Sequence, residues 1–352
     1  MKNFTIKEFY KNRYLPLEEN LLLSFNEYCI ENQQKLETEY IEWFYQFVHT
    51  LYVSLERPVA RIHCTMPYTD FLCGNANINI SAFDRQGQVM NSASLNCLWM
   101  MELWKNFEEE LCDEREYIRS LVHPVMFRRF YPATVRKIMA VLGEYMKVWL
   151  ALDLDKIMEG ILRNEEFYVT YGEYIGKQEI IGRLRPKVDL LKYIDKENLL
   201  EDDLKYRSFA KKRYRMKKID EIDIENSKFG QCLFEPWTFG KTNLRNVIFD
   251  DCHFHLTKFE KTNLTGAIFV NCIFDTCRFH SVKADDENSR YPLLFMDCCF
   301  ADSKFLNCDW MDVEFVDCEF ACIKLTDCVM NDKALQEIGK ADANNDRNIC
   351  KY

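Results

Sequence analysis

A five-residue repeat dominates the sequence from residue 222 to residue 332. Large apolar residues recur at every fifth position, and a second, mostly smaller residue lies two positions before each of them. A helix places apolar residues about every 3.6 positions and a strand every second position, so neither element keeps this repeat on one side. A solenoid does, if each unit forms one straight side and a corner. The large residues are Phe229, Phe234, Phe239, Leu244, Phe249, Phe254, Phe259, Leu264, Phe269, Phe274 and Phe279, then Phe295, Phe300, Phe305, Trp310, Phe315, Phe320, Leu325 and Met330.

Two segments of the repeat resemble a known consensus closely. Lys-Thr-Asn-Leu-Arg at 241–245 and Lys-Thr-Asn-Leu-Thr at 261–265 are similar to the pentapeptide-repeat family, whose units read small residue, Asp or Asn, Leu or Phe, then two polar residues. The resemblance covers about a third of the chain. It implies a right-handed β-helix of square cross-section, with four pentapeptides and therefore twenty residues in each coil.

Cysteines test this twenty-residue coil independently. The small inward positions predict one internal column of thiols, interrupted by a gap of twenty-six residues that indicates a six-residue loop insertion near 285–292. We interpret the thiols as small packing side chains, since buried thiols have raised pKa values and low reactivity. Binding of a soft metal or oxidation is the alternative. The predicted column contains Cys232, Cys252, Cys272, Cys298 and Cys318.

The fold class predicted for the whole chain is α+β with two domains. Residues 1–203 read as a mostly helical domain that contains a β-hairpin near 76–90, with Val59–Cys64 as a partner strand. Residues 333–352 form a C-terminal cap and tail, because solenoid ends need capping. No apolar run approaches 18 residues, and the first residues lack the pattern of a signal peptide. We therefore expect a cytoplasmic protein with reduced cysteines and no membrane contact.

Residues 204–221 join the two domains as a basic linker. Bases interleaved with aromatic residues can contact a phosphate backbone. The alternative, which we favour, is a solvated segment whose bases pair with neighbouring acids. The candidate basic patch is Lys211, Lys212, Arg213, Arg215, Lys217 and Lys218.

Acidic residues gather near the end of the repeat. Residues 222–284 hold seven acids and seven bases, whereas residues 285–332 hold twelve acids and three bases, a net charge of minus nine against minus ten for the chain. We predict a protein-binding or scaffold module that acts through the outer faces of an acidic rod. The resemblance implies an alternative, since some family members shield DNA gyrase by mimicking duplex DNA. Acids can also simply keep a β-rod soluble. The candidate surface is Asp297, Asp302, Asp309, Asp312, Glu314, Asp317, Glu319 and Asp327.

An enzyme in the N-terminal domain is a further alternative. His63 and Cys64 with Asp70 are a conceivable base, nucleophile and orienting residue, although no local catalytic motif surrounds them. The three histidines of the repeat do not form a metal site with its cysteines in this interpretation, because the cysteines point inward and the histidines outward. We predict no cofactor and no metal, and a protein partner whose identity the sequence does not give.

Overall fold

The chain divides into two compact units, Met1–Arg183 and Leu184–Tyr352. The structure, a computed structural model, describes residues 5–54, 57–117, 124–172, 178–186, 188–194, 204–284 and 292–344. The fold class predicted from the sequence is confirmed: a helical N-terminal unit with a small sheet, followed by a quadrilateral β-helix. Among the residues that the structure describes, no helix has both the length and the apolar character needed to cross a membrane.

Helices form most of the first unit. In the second helix, Leu21, Phe25 and Cys29 are four residues apart and are all buried, as expected for one apolar helical face. A π-helical turn, Tyr10–Tyr14, joins the first two helices into one run. The helices are α1 (Ile6–Phe9), α2 (Leu15–Glu31), α3 (Gln33–Ser54), α4 (Tyr68–Leu72), α5 (Leu98–Tyr117), α6 (Pro124–Arg128) and α7 (Tyr131–Ile157).

A five-stranded sheet completes the first unit. Its strands are β1 (Val59–Thr65), β2 (Asn77–Phe83), β3 (Val89–Asn96), β4 (Arg163–Gly172) and β5 (Gln178–Leu184), in the order β3-β2-β1-β4-β5. β2 and β3 form an antiparallel hairpin, and β1 pairs with β2 as the sequence predicts. β1 also pairs with β4 in parallel.

Helix α7 leads into the sheet of the first unit. It continues without a break to Ile157, and the chain then enters β4. No Gly or Pro interrupts the sequence near residue 150, so the backbone has no reason to leave the helix there. In β4, Phe167, Val169 and Tyr171 alternate with more exposed residues and are buried, which is the period of a strand.

The second unit is a solenoid of six coils with four faces. The large residues of each coil point inward, one to a face, so that each face carries one column of them. Coil 1 holds Phe209, Tyr214, Ile219 and Ile224; coil 2 Phe229, Phe234, Phe239 and Leu244; coil 3 Phe249, Phe254, Phe259 and Leu264; coil 4 Phe269, Phe274, Phe279 and Ala284; coil 5 Phe295, Phe300, Phe305 and Trp310; coil 6 Phe315, Phe320, Leu325 and Met330.

Short parallel strands build the faces. The first face contains β6 (Ser208–Ala210), β8 (Lys228–Gly230), β10 (Ile248–Asp250), β13 (Ile268–Val270), β16 (Leu293–Met296) and β20 (Val313–Val316). β7 (Arg213–Asp220) and β9 (Leu233–Gly240) each run along the second and third faces. The second face continues with β11 (His253–His255), β14 (Ile273–Asp275), β17 (Cys299–Ala301) and β21 (Glu319–Ala321), and the third with β12 (Lys258–Glu260), β15 (Arg278–His280), β18 (Lys304–Leu306) and β22 (Lys324–Thr326). The fourth face is made of single bridges and of β19 (Asp309–Trp310) with β23 (Val329–Met330).

The register between coils is the one that the sequence predicts. Phe249 lies beside Phe229 and Phe269, twenty residues away on each side, and Phe269 lies beside Phe295, twenty-six residues on. Rings on the same face stack with centroids 4.7–5.2 Å apart on the first face. The six-residue insertion therefore falls between Ala284 and Phe295. Residues 285–291 of the predicted loop lie outside the described residues.

Segment 204–221 is not a linker, and this prediction is wrong. Its strands β6 and β7 pair in register with β8 and β9, so it is the first coil of the solenoid. The positions that are mostly small in the other coils hold Arg207, Lys212 and Lys217 in this one. Because these residues are long and charged, the sequence pattern of the repeat is not recognisable here. A terminal coil tolerates these long side chains because no further coil stacks on its open side.

Both ends of the solenoid carry helical caps. Helix α8 (Leu190–Ile194) packs against the solenoid core through Leu190, which is buried. At the other end, α9 (Asp332–Asn344) buries Ala334 and Ile338, whereas Leu335, predicted as one of the packing residues, is 45% exposed. Residues four apart share one helix face, which explains why Ala334 and not Leu335 accompanies Ile338.

Candidate functional site

The three residues of the catalytic hypothesis do not assemble into a site. His63 and Cys64 are neighbours on β1 and so point to opposite sides of the sheet. The Nδ1 atom of His63 is 3.0 Å from Thr170 Oγ1, and Asp70 accepts a hydrogen bond from Asn77. Burial raises the pKa of Cys64 to about 12, which keeps the thiol protonated. Cys64 is therefore a core residue and not an activated nucleophile.

The inward cysteines occupy one column along the solenoid. Cys252 Sγ donates to two carbonyl oxygens, Phe229 O at 3.3 Å and Asp250 O at 3.5 Å. Thr257 and Ser303 make the same pair of bonds at equivalent positions. Small side chains that can donate a hydrogen bond therefore suit this position, although Trp237 and Ile323 occupy it in coils 2 and 6. The column consists of Cys232, Cys252, Cys272, Cys298 and Cys318, each hydrogen-bonded to backbone carbonyls.

Burial and hydrogen bonding act in opposite directions on the inward thiols. Hydrogen bonds from neighbouring thiols lower the pKa of Cys252 to about 5 and that of Cys298 to about 4. Desolvation raises the pKa of Cys272 well above its ordinary value and that of Cys277 to about 12. A protonated thiol is neither a metal ligand nor a nucleophile. Within the residues described, no three or more His, Cys, Asp or Glu side chains come together in a way that could hold a metal ion.

The candidate basic patch lies on the first coil and is largely paired. Arg213 and Arg215 both donate to Glu235 of coil 2, at 2.6 Å and 2.7 Å from Nε. The two arginines lower the pKa of Glu235 to about 2. Lys218 lies 3.2 Å from Asp220. The remaining members are Lys211 at a corner with a φ of 54°, Lys212, which is exposed, and Lys217, which is half-buried.

The candidate acidic residues surround coils 5 and 6 and do not form one surface. Three of them lie on faces: Glu314 on the first, Glu319 on the second and Asp309 on the fourth. Four lie at corners: Asp297 and Asp317 after the first face, Asp302 after the second and Asp327 after the third. Asp312 lies in the turn after the fourth face. We call these eight residues the acidic ring. Among them, Glu314 forms an ion pair with Lys333 at 3.9 Å.

Backbone conformation explains part of the acidic ring. Four of its members, Asp297, Asp302, Asp317 and Asp327, have φ values of 48–51°. Asp and Asn tolerate this left-handed conformation better than most residues. Asn would serve equally well, as Asn271 does at the same corner of coil 4. The left-handed conformation at these corners therefore explains why Asp or Asn occurs there, but it does not explain why the residue is the charged one.

One charged feature escaped the sequence analysis. Four bases lie in one row on the outside of the third face, because Lys258 pairs with Arg278, Arg278 with Lys304, and Lys304 with Lys324. We call them the basic column. Their spacing of 20, 26 and 20 residues matches the cysteine column and was visible in the sequence. Sums of charge over segments of the chain do not show it. The basic column becomes apparent only when charges are assigned to individual faces of the solenoid.

Comparisons with known proteins concern the solenoid. A family model described as the SV2A/B/C luminal domain matches residues 239–325. Trypsin-treated QnrB1, a plasmid-mediated fluoroquinolone resistance protein, aligns with 40% of this chain and 92% of its own at 12% identity and a TM-score of 0.23. Full-length QnrB1 aligns with 38% of this chain and 98% of its own at 14% identity and a TM-score of 0.11. These values are too low for any property of QnrB1 to extend to this chain. No curated protein matches the sequence.

Proposed function

We propose that the solenoid is a non-enzymatic binding or scaffold module whose acidic ring contacts a basic surface of a partner protein. Its interior is filled by stacked rings and hydrogen-bonded thiols, so recognition falls to the outer faces. Repeat solenoids offer extended outer surfaces of this kind.

The state of the ring acids carries the proposal. Asp297, Asp302, Asp309, Asp317, Glu319 and Asp327 are exposed, and none has an ion pair among the described residues. The acids of coils 1 and 2 behave differently, since Glu221 and Glu235 each hold a base at 2.6 Å. Unpaired like charges repel one another and destabilise the compact state. Complementary charge on a partner would relieve this repulsion and favour rapid, specific association.

A matched pair of variants tests the proposal. The first changes Asp297, Asp302, Asp317 and Asp327 to Asn, which suits the left-handed corners. The control changes four paired acids, Asp220 and Asp250 to Asn and Glu221 and Glu235 to Gln. Both proteins are used as bait in extract of the native host, and affinity for each captured protein is then measured in purified form.

The ring variant is expected to lose about fivefold in affinity, from the two exposed pairs that one corner can make at about 0.5 kcal/mol each, while the control binds like the unaltered chain. Equal binding by all three proteins would reject the acidic ring as the contact.

A topoisomerase is the most specific partner that the pentapeptide-repeat resemblance implies. DNA mimicry requires acidic residues along the length of the rod. The acidic residues of this chain instead lie around coils 5 and 6. Supercoiling by purified DNA gyrase, measured with and without the added chain, tests this partner directly. Unchanged supercoiling at micromolar protein removes gyrase from consideration and leaves the general proposal intact.

A further inference from the structure

The basic column is a second charged surface, and in coils 5 and 6 it lies between the corners that hold Asp302 and Asp327 of the acidic ring. Lys258, Arg278, Lys304 and Lys324 project from coils 3, 4, 5 and 6, and all four are exposed. Neighbouring strands are about 4.8 Å apart, so the column spans about 14 Å along the solenoid. The chain as a whole carries a net charge of minus ten, so this row of bases runs against its overall charge.

Among the described residues, the column is unpaired, whereas several bases of coils 1 and 2 are paired. Within the described residues, none of its four members lies within ion-pair distance of a carboxylate. By contrast, Lys218 in coil 1 occupies the same outward row and holds Asp220 at 3.2 Å. Lys241 holds Glu221 at 2.6 Å.

Placing the four bases in one register is unfavourable for the sheet. Like charges directly opposite each other on neighbouring strands are destabilising. Two more exposed bases lie close by, Lys261 at the corner after the third face and Lys283 on the fourth face. Neither has an ion pair among the described residues. The row of bases therefore does not stabilise the fold, and a bound polyanion would neutralise the repulsion between them.

We infer that the third face of coils 3 to 6 binds single-stranded nucleic acid through its phosphates. Phosphates of one strand are about 3.4 Å apart along the axis when the bases are stacked as in a duplex. Rotation about the backbone bonds of an unstacked strand varies the spacing of its phosphates, so a flexible single strand can adapt to bases about 4.8 Å apart. A duplex winds its phosphates around an axis and presents only a short part of each strand to a straight column.

An acidic polypeptide fits the column less well. An extended strand presents alternate side chains every 6.6–6.8 Å, roughly twice the rise per residue, and falls out of step with the coils after two rungs. In the described coils, no Phe, Tyr or Trp points outward from the third face. Base stacking, which supplies affinity in many single-strand binders, is therefore missing, and binding is expected to ignore base sequence.

The test is binding of the full chain to a fluorescein-labelled oligothymidylate, followed by fluorescence anisotropy at increasing salt. Four contacts to a single strand give a slope of about −2.8 in log affinity against log salt, or about a fiftyfold loss between about 50 and 200 mM. A variant with Lys258, Arg278, Lys304 and Lys324 changed to Gln should lose at least tenfold in affinity at the lower salt. Its melting temperature should not fall, because the change removes repulsion.

The matched control removes four paired bases by changing Arg213, Arg215, Lys218 and Lys241 to Gln. This variant should keep its affinity within about threefold, since carboxylates already hold these four bases. Absence of binding by the unaltered chain at low salt, or equal loss in both variants, would overturn the inference. So would tighter binding of a duplex of the same sequence, or displacement of the oligothymidylate by polyglutamate at equal charge concentration. The experiment does not involve the acidic ring, so its outcome is independent of the proposed function.

Discussion

In coils 1 and 2, bases on the solenoid lie beside carboxylates, and several of the pairs join one coil to the next. Arg213 and Arg215 reach Glu235 across the boundary between these coils, and Lys241 reaches Glu221. In coils 5 and 6, Asp297, Lys304 and Glu319 have no ion pair among the described residues, and acids and bases lie on different parts of the surface. Lys304 lies on the third face and Glu319 on the second.

The two regions share the stacking of aromatic rings on the second face, so this feature of the interior does not distinguish them. Stacked rings on the second face are 4.9 Å apart between Phe234 and Phe254 and 4.5 Å apart between Phe274 and Phe300. Coils 1 and 2 use charge to hold neighbouring coils together. In coils 3 to 6, the four bases of the basic column have no carboxylate within ion-pair distance among the described residues.

The largest effect on stability is expected from removing buried rings, and it tests whether the core is packed equally well in different coils. Phe234→Ala in coil 2 and Phe274→Ala in coil 4 each remove a fully buried ring and should each cost about 3–5 kcal/mol of the free energy of unfolding. Denaturant titration measures both. Ile273→Ala, at a residue that is 46% exposed, is the control and should cost less than about 0.5 kcal/mol. A large difference between the two Phe variants would show that the halves differ in core packing as well.

A smaller effect is expected at the small inward positions. Cys272→Ser keeps a donor for the carbonyls of Phe249 and Val270 and should be tolerated. Cys272→Val removes the donor and adds volume in a packed column, which should cost about 1–3 kcal/mol. Thermal unfolding of the two variants gives the comparison. If Val were tolerated as well as Ser, hydrogen bonding would not be what selects Cys, Ser and Thr at this position.

The ion pairs of coils 1 and 2 predict a dependence on pH. Hydrogen bonds from Arg213 and Arg215 lower the pKa of Glu235 from 4.5 to about 2. A carboxylate whose pKa is depressed on folding contributes stability above its unfolded pKa and loses it as the pH falls. The stability difference between the unaltered chain and Glu235→Gln should therefore be constant above about pH 4.5 and vanish near pH 2.

Acid titration followed by circular dichroism measures this difference. Glu319→Gln is the matched control, because Glu319 lies on the same face but has no ion pair among the described residues. This variant should unfold in acid like the unaltered chain. If Glu235→Gln did so too, the arginine pair would not stabilise the first two coils.

The sequence predicts the solenoid well because each coil repeats a strict local rule. The twenty-residue register and the insertion before Phe295 follow from residue spacing alone, and the structure has both. The first coil was missed because Arg207, Lys212 and Lys217 replace its small residues. In the first unit, the parallel pairing of β1 with β4 joins segments about a hundred residues apart, and no local pattern encodes such a contact.

The candidate site was only partly predictable for a different reason. The sequence shows that acids gather near residues 285–332, but their distribution around four faces depends on which position of the pentapeptide each one occupies. Asp297 and Glu319, for example, lie on a corner and a face. The basic column follows from the same positional reasoning, once Lys258 and Arg278 are recognised as equivalent positions of successive coils.

Thermal unfolding of two charge variants at low salt tests most directly whether the paired bases of coils 1 and 2 stabilise the solenoid while the basic column does not. One variant changes the paired bases Arg213, Arg215, Lys218 and Lys241 to Gln, and the other changes the basic column, Lys258, Arg278, Lys304 and Lys324, to Gln. The account predicts a lower melting temperature for the first and an unchanged or higher one for the second, because only the first loses favourable contacts. A lower melting temperature for the second variant with none for the first would contradict it.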